Sequence, residues 1–249
     1  MTDCRYGFIG SKVNSGNTPG VNCVETTGYK GTVMGKTSAA SGGNIGDRDV
    51  LLVIDVQNDF CPGGNLAVPG GHDIVPVVNG LAQRFAHVVL TQDWHPAGHS
   101  SFASSHAGSA PFEQIEMPYG MQTLWPDHCV QNSDGAAFHA GLKIPHAELI
   151  IRKGFRRAID SYSAFYENDH KTPTGLAGYL RERGFSRIFC VGLAFDFCVR
   201  FSAEDARTAG FATIVIENAC RSIDLNGSAA AARTAFADRD IDVLNELAA

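Results

Sequence analysis

Val50-Leu51-Leu52-Val53-Ile54-Asp55-Val56 is the stretch on which the fold turns. An apolar run meets an aspartate. A strand with one wet face would alternate apolar and polar residues. An unbroken run of leucine and β-branched residues suits a strand covered on both faces, as in a parallel sheet. The aspartate that closes it is costly to bury unless it has a partner or a task.

Working outward, the same kind of strand returns. Asp73–Arg84 carries Ile74, Val77, Val78 and Leu81 at helical spacing, with Pro76 in the first turn, where a missing N–H is tolerated. Val88–Thr91 reads as a second strand and Glu148–Arg152 as a third. Thr174–Arg183 reads as a helix, with Thr172 or Thr174 as its cap and Gly184 as its stop. Arg187–Gly192 is the fourth strand, Val199–Ala209 a helix ended by Gly210, and Phe211–Ile216 the fifth strand. Ser228–Ala237 is an alanine-rich helix, and Ile241–Leu244 a short strand or part of a terminal helix. This alternation predicts an α/β fold, a three-layer α/β/α arrangement around a central, mostly parallel sheet. Ligands of such sheets bind beyond the carboxyl ends of the strands. The residues just after Ile54, Leu90, Ile151 and Val191 are therefore expected to converge.

The domain is expected to span 49–249. Residues 1–48 are rich in Gly, Ser, Thr and Asn and show no strand or helix period. Such a segment cannot bury enough apolar surface to offset chain entropy, so it reads as a disordered extension. Met34 offers an alternative start within it. The 249-residue chain carries a net charge of −6 and has no basic run, which argues against nucleic acid and polybasic membrane anchoring as functions. Its longest apolar stretches, Val50–Ile54 and Ile188–Phe195, are too short for a bilayer. No basic-then-apolar leader opens the sequence. The 7 cysteines are scattered without C-x-x-C spacing, which suits reduced thiols and a cytoplasmic protein.

The strand ends carry chemistry. Asp55 follows the first. Asp93-Trp94-His95-Pro96-Ala97-Gly98-His99 follows the second, and Trp125-Pro126-Asp127-His128 lies further on. Asp93, His95, His99 and His128 form a borderline-hard ligand set that suits Zn, Fe, Mn or Co, although histidines also gather on plain loops. Lys153 follows the third strand; its bland alternative is a solvated surface lysine. Cys198 follows the fourth, near a helix start that favours a thiolate; its bland alternative is a small buried hydrophobe. Aspartate, lysine and cysteine together are equipment for covalent acyl transfer. No glycine-rich phosphate loop follows a strand, so a nucleotide-binding reading is weak.

From Val50 onward the chain closely resembles the nicotinamidase/pyrazinamidase branch of the isochorismatase-like cysteine hydrolases. The resemblance rests on Asp55-Val56-Gln57-Asn58-Asp59-Phe60-Cys61-Pro62, Thr91-Gln92-Asp93-Trp94-His95-Pro96, Trp125-Pro126-Asp127-His128-Cys129-Val130, Lys153-Gly154, Asp160-Ser161-Tyr162-Ser163-Ala164-Phe165, and Gly192-Leu193-Ala194 through Cys198-Val199. It implies a catalytic triad of Asp55, Lys153 and Cys198. It implies an oxyanion hole from the N–H groups of Ala194 and Cys198, beside a cis peptide at Leu193-Ala194. It places Phe60, Trp125, Gln57 and Tyr162 around the substrate and one divalent metal ion on Asp93, His95, His99 and His128. The activity implied is hydrolysis of nicotinamide, and of pyrazinamide, to the acid and ammonia through a thioester, as part of NAD salvage. The expected partners are a small amide and, as an option the sequence does not exclude, further copies of the chain. Phe195 and Phe197 depart from the threonine and the tyrosine or histidine of many relatives, which makes the pocket rim more apolar.

Overall fold

The computed structural model describes residues 44–248. At its centre is a six-stranded sheet in which every pairing is parallel. Its strands are β1 (Asp49–Ile54), β2 (Val88–Asp93), β5 (Leu149–Lys153), β6 (Arg187–Leu193), β7 (Ala212–Arg221) and β8 (Asp242–Leu244). They lie in the order β5-β2-β1-β6-β7-β8. A separate antiparallel hairpin, β3 (Gln114–Met117) and β4 (Gly120–Thr123), lies in the long β2–β5 connection.

The two faces of β1 explain the layering. Leu51 and Val53 join a core with Ile74 and Val78 of helix α1 (Ile74–Ala82). Val50, Leu52 and Ile54 join a second core on the opposite face. Leu176 and Leu180 of α2 (Leu176–Glu182), Ala203 and Ala206 of α3 (Arg200–Thr208) and Phe236 of α4 (Ser228–Asp238) pack there. Each fully buried aliphatic side chain contributes about 1.5–3 kcal/mol by leaving water. That is why Val50–Ile54 of the central strand carries no polar residue before Asp55. The three-layer, parallel expectation therefore holds.

The helix stops follow one device. Phe185 N–H donates to Leu180 O after Gly184, and Phe211 N–H donates to Ala206 O after Gly210. Both glycines take positive φ, +77° and +93°, as this C-terminal turn requires. Elsewhere the expected bounds shift. β7 runs on to Arg221 rather than ending at Ile216, and α3 begins at Arg200 after a wide helical turn over Phe195–Val199. Ile241–Leu244 resolves as strand, with β8 covering its last three residues.

The predicted extension 1–48 falls mostly outside the described residues. Its last part is tied to the sheet. Asn44 O accepts from Arg187 Nη2, Gly46 O from Asp49 N–H, and Arg48 O from Ser186 N–H. Among the described residues, no helix is long and apolar enough to cross a membrane.

Candidate active site

The parallel register brings the strand ends to one place. Val53 pairs with Leu90, Ile54 with Gly192 and Asp93 with Lys153. Asp55 leaves β1 with a positive φ of 49°. Its N–H donates to Thr91 Oγ1 at 3.1 Å, and the Thr91 hydroxyl donates back to Asp55 Oδ1 at 2.6 Å. Lys153 ends β5 and is 1% exposed. Its ammonium donates to Asp93 Oδ1 at 3.0 Å, Ser161 O at 3.0 Å and Cys198 Sγ at 3.4 Å.

Asp55 Oδ2 lies closer still, 2.8 Å from the same Nζ, as a fully buried ion pair. Burial raises the Asp55 carboxyl above its ordinary range, against the pull of Lys153. Burial also pushes the Cys198 thiol well up, and the nearby ammonium does not offset it. Burial works against the charge on Lys153 in turn, but Asp55 and Asp93 outweigh it and hold the amine well above its usual value. Asp55 and Lys153 thus meet the Cys198 thiol at the strand ends.

Leu193-Ala194 is a cis peptide, and Cys198 follows on the wide turn that leads into α3. Asp196, on the same turn, accepts from Ile223 N–H, Asp224 N–H and the Ser228 hydroxyl. That ties the cysteine's turn to the loop after β7.

Three of the predicted ligands meet beside Lys153. His95 directs Nδ1–H at Gly154 O, 2.9 Å, and His128 directs Nδ1–H at Pro126 O, 2.8 Å. Their Nε2 atoms then face Asp93 Oδ2, at 3.0 and 3.3 Å. Nitrogens and a carboxylate oxygen at these distances need either a proton on each ring or a cation among them. Burial works to keep His95 neutral, but the Asp93 charge outweighs it and raises the imidazole's pKa. Burial alone would raise Asp93; His95 and Lys153 hold it well below the usual carboxylate range. Asp93, His95 and His128 thus fit a divalent cation.

His99 stands apart. Its Nε2 faces the carbonyls of Arg156 and Ile159 at 2.9 and 3.1 Å, and its Nδ1 faces the Ser101 hydroxyl at 2.7 Å. Carbonyls accept only, so Nε2 carries the proton and both ring nitrogens are engaged. His99 also forms a second cluster, with His95 and Asp160.

A small cavity of about 20 Å³ opens on this centre. Cys198 and Ala194 line one side, Asp93 and His128 another, and Phe60, Trp125 and Tyr162 the walls. Trp125 and Phe197 meet edge to face, with ring centroids 4.9 Å apart.

A family model for the isochorismatase domain matches residues 49–243. The chain belongs to the isochorismatase family. A nicotinamidase of Acinetobacter baylyi is 57% identical over 178 residues, which cover 72% of this chain and 83% of that protein. A solved nicotinamidase/pyrazinamidase from Acinetobacter baumannii is 54% identical, with a TM-score of 0.79 over 80% of this chain and 96% of that one. A pyrazinamidase of Pyrococcus horikoshii in complex with zinc is 33% identical, with a TM-score of 0.66 over 79% and 98%.

Within this isochorismatase-family site, Gln57 is not a wall of the cavity. Its Nε2 donates to the carbonyls of Asp93 and Ala136, and its Oε1 accepts from Asp93 N–H at 2.8 Å. The amide is spent on holding the Asp93 backbone. Phe197 lines the cavity, as its place on the expected rim implied, while Leu66, Ile223 and Asp160 were passed over as lining residues. Asp160 is 2% exposed, and its Oδ1 lies 3.8 Å from His95 Nε2. With it, the aspartates Asp55, Asp93 and Asp160 outnumber the single ammonium of the site. A dication on the adjacent triad would balance them. The signal for Asp160 was its place in a motif seven residues after Lys153; nothing in its own neighbourhood marked it.

Proposed function

We propose that the chain hydrolyses nicotinamide to nicotinate and ammonia, and accepts pyrazinamide. One observation carries this: Cys198, paired with Lys153 and Asp55, shares a small aromatic cavity with Asp93 and His128. A nucleophile and a metal-ligand set line one aromatic-walled cavity.

Asp55 takes the Cys198 thiol proton as the sulfur attacks the carboxamide carbon. Lys153 offsets the charge on sulfur and carboxylate throughout. The N–H groups of Ala194 and Cys198 hold the tetrahedral oxyanion, each contributing about 3 kcal/mol in comparable sites. Asp55 then returns its proton to the departing nitrogen, ammonia leaves and a thioester remains. Asp55 next takes a proton from water, whose oxygen attacks the thioester. Collapse frees nicotinate, and the sulfur regains a proton. A divalent ion, when bound by Asp93, His95 and His128, supplies Lewis acidity toward a ring nitrogen. Two imidazoles and a carboxylate suit Zn, Fe or Mn.

The acid product suits a place in pyridine nucleotide salvage. A cytoplasmic setting is consistent with the free, buried thiols of Cys61, Cys129, Cys190, Cys198 and Cys220. The test is ammonia release from nicotinamide and pyrazinamide by the metal-loaded protein. Turnover of both supports the reading. Turnover of a ureido or aliphatic amide with none of nicotinamide overturns it.

A further inference from the structure

The hairpin β3–β4 lies outside the strand ends that build the site, yet it sends one side chain inward. Gln122 is fully buried, while its strand neighbours Gly120 and Met121 are exposed. Its amide orientation is fixed by chemistry. Nε2 faces Thr123 O at 2.7 Å and Asp160 Oδ2 at 3.0 Å, both acceptors, and the Tyr162 oxygen at 2.8 Å. Oε1 faces the Tyr119 hydroxyl and Asn168 Nδ2, both at 3.2 Å and both able to donate. A flipped amide would oppose like to like on the Nε2 side.

The consequence falls on Tyr162. Its phenol oxygen also accepts from Trp125 Nε1 at 3.1 Å. Amide N–H and indole N–H are donors only, so the phenol oxygen faces two donors, the two amide hydrogens being shared among three oxygens. The phenol proton must point elsewhere, and among the described residues it has no protein acceptor. Tyr162 lines the cavity, as does Asp160, whose second oxygen is held by Gln122.

We propose that Gln122 is a positioning residue: it locks the Tyr162 hydroxyl so that its proton is presented to the bound amide, and holds the Asp160 carboxylate on the same wall. The proposal rests on the amidase reading above. Among the described residues, neither Gln122 nor the Tyr162 hydroxyl bonds to Asp55, Lys153 or Cys198, so the network governs binding more than chemistry. Loss of Gln122 therefore raises KM and leaves kcat close to unchanged.

The experiment is a double-mutant cycle on the metal-loaded enzyme, with Gln122→Met, Tyr162→Phe and the pair, reading KM and kcat for nicotinamide. Each single change is expected to raise KM about tenfold, the size of one neutral hydrogen bond. The pair is expected to raise it by little more than either alone, because Gln122 acts through Tyr162. Multiplied effects, near a hundredfold in KM, or a fall confined to kcat would overturn the proposal. Gln122→Asn keeps a buried amide but withdraws it by one methylene, and it should show the same non-additivity in milder form. If neither Gln122 variant folds, Gln122 is a core residue of the hairpin and the proposal fails. A wild-type enzyme that releases no ammonia from nicotinamide would instead defeat the amidase reading. Additive KM effects in an active enzyme defeat only the role of Gln122.

Discussion

Asp93 Oδ1 lies 3.0 Å from Lys153 Nζ, across the paired ends of β2 and β5. The other oxygen of the same carboxylate faces the two imidazoles. One side chain thereby joins the nucleophile's ammonium to the ligand set. Burial does most to raise the Cys198 thiol, and the Asp93 charge adds to it. In chelator-treated protein, Asp93→Asn should therefore speed alkylation of Cys198 by iodoacetamide at neutral pH several-fold, even as turnover falls. His128→Ala should cost metal and turnover but leave the alkylation rate near wild type. Equal rates in all three proteins would show that the two sets are not coupled through Asp93.

Cys198→Ala should lower kcat by about 10⁴-fold or more, since no other group offers a nucleophile to the cavity. Metal content, read by elemental analysis, should not change, because none of the ligands moves. Asp55→Asn should be nearly as damaging, since one carboxyl serves both proton transfers. An alanine variant that releases ammonia within tenfold of wild type would rule out the thioester.

The acid side of the pH profile belongs to Asp55. Burial raises its pKa above the reference value of 3.8. As the base it must be ionised, so activity is present above its folded-state pKa and is lost as pH falls through it. The acid limb of kcat/KM should therefore lie above the ordinary aspartate range. A limb at or below the reference value would mean that the group titrating is not a buried carboxyl.

Gly154 follows Lys153 with φ of +67°, and a Cβ there would stand 2.5 Å from His95 Cε1 and 2.7 Å from its Nδ1. Its carbonyl also fixes that ring. Gly154→Ala must displace His95 as well as strain the backbone. Metal affinity should fall about 10–100-fold, the usual effect of disturbing a ligand's support. Competition with a chromogenic chelator measures it, and unchanged affinity would free His95 from the ligand set.

How far the sequence reached is clearest at particular residues. Asp55, Lys153 and Cys198 were legible because each lies at or just past the end of an expected strand, and parallel register carries such ends together. The hairpin was not. Gln114-Ile115-Glu116-Met117 alternates over only four residues, and Gly120-Met121-Gln122-Thr123 carries a single large apolar residue, so neither stood out as a strand. With the hairpin went Gln122, whose importance depends on contacts with Asp160 and Tyr162, roughly forty residues away. Gln57 and His99 show a different limit. Their residue types and spacing suit substrate and metal, but which way an amide or imidazole turns depends on backbone carbonyls that spacing does not reveal.

The ring nitrogen is the feature that separates nicotinamide from its carbon analogue. Phe60 and Trp125 offer apolar walls that would hold benzene as well as pyridine. Asp93 and His128 line the same cavity, and with His95 they present their donor atoms to a cation rather than to one another. Nicotinamide and pyrazinamide each carry a nitrogen meta to the carboxamide-bearing carbon, and benzamide carries none. If the amide is to reach Cys198 while that nitrogen meets the metal, benzamide forfeits one ligand bond. A loss of a few kcal/mol corresponds to roughly 100-fold or more in kcat/KM. His95→Ala, or removal of the metal by a chelator, should cost most of the activity on nicotinamide. It should cost much less of whatever remains on benzamide, so the ratio of the two collapses toward unity. The measurement is kcat/KM for both amides on loaded, stripped and His95→Ala enzyme. Comparable values for the two amides on the loaded enzyme would mean that the aromatic walls alone select the ring, leaving Asp93, His95 and His128 a structural task.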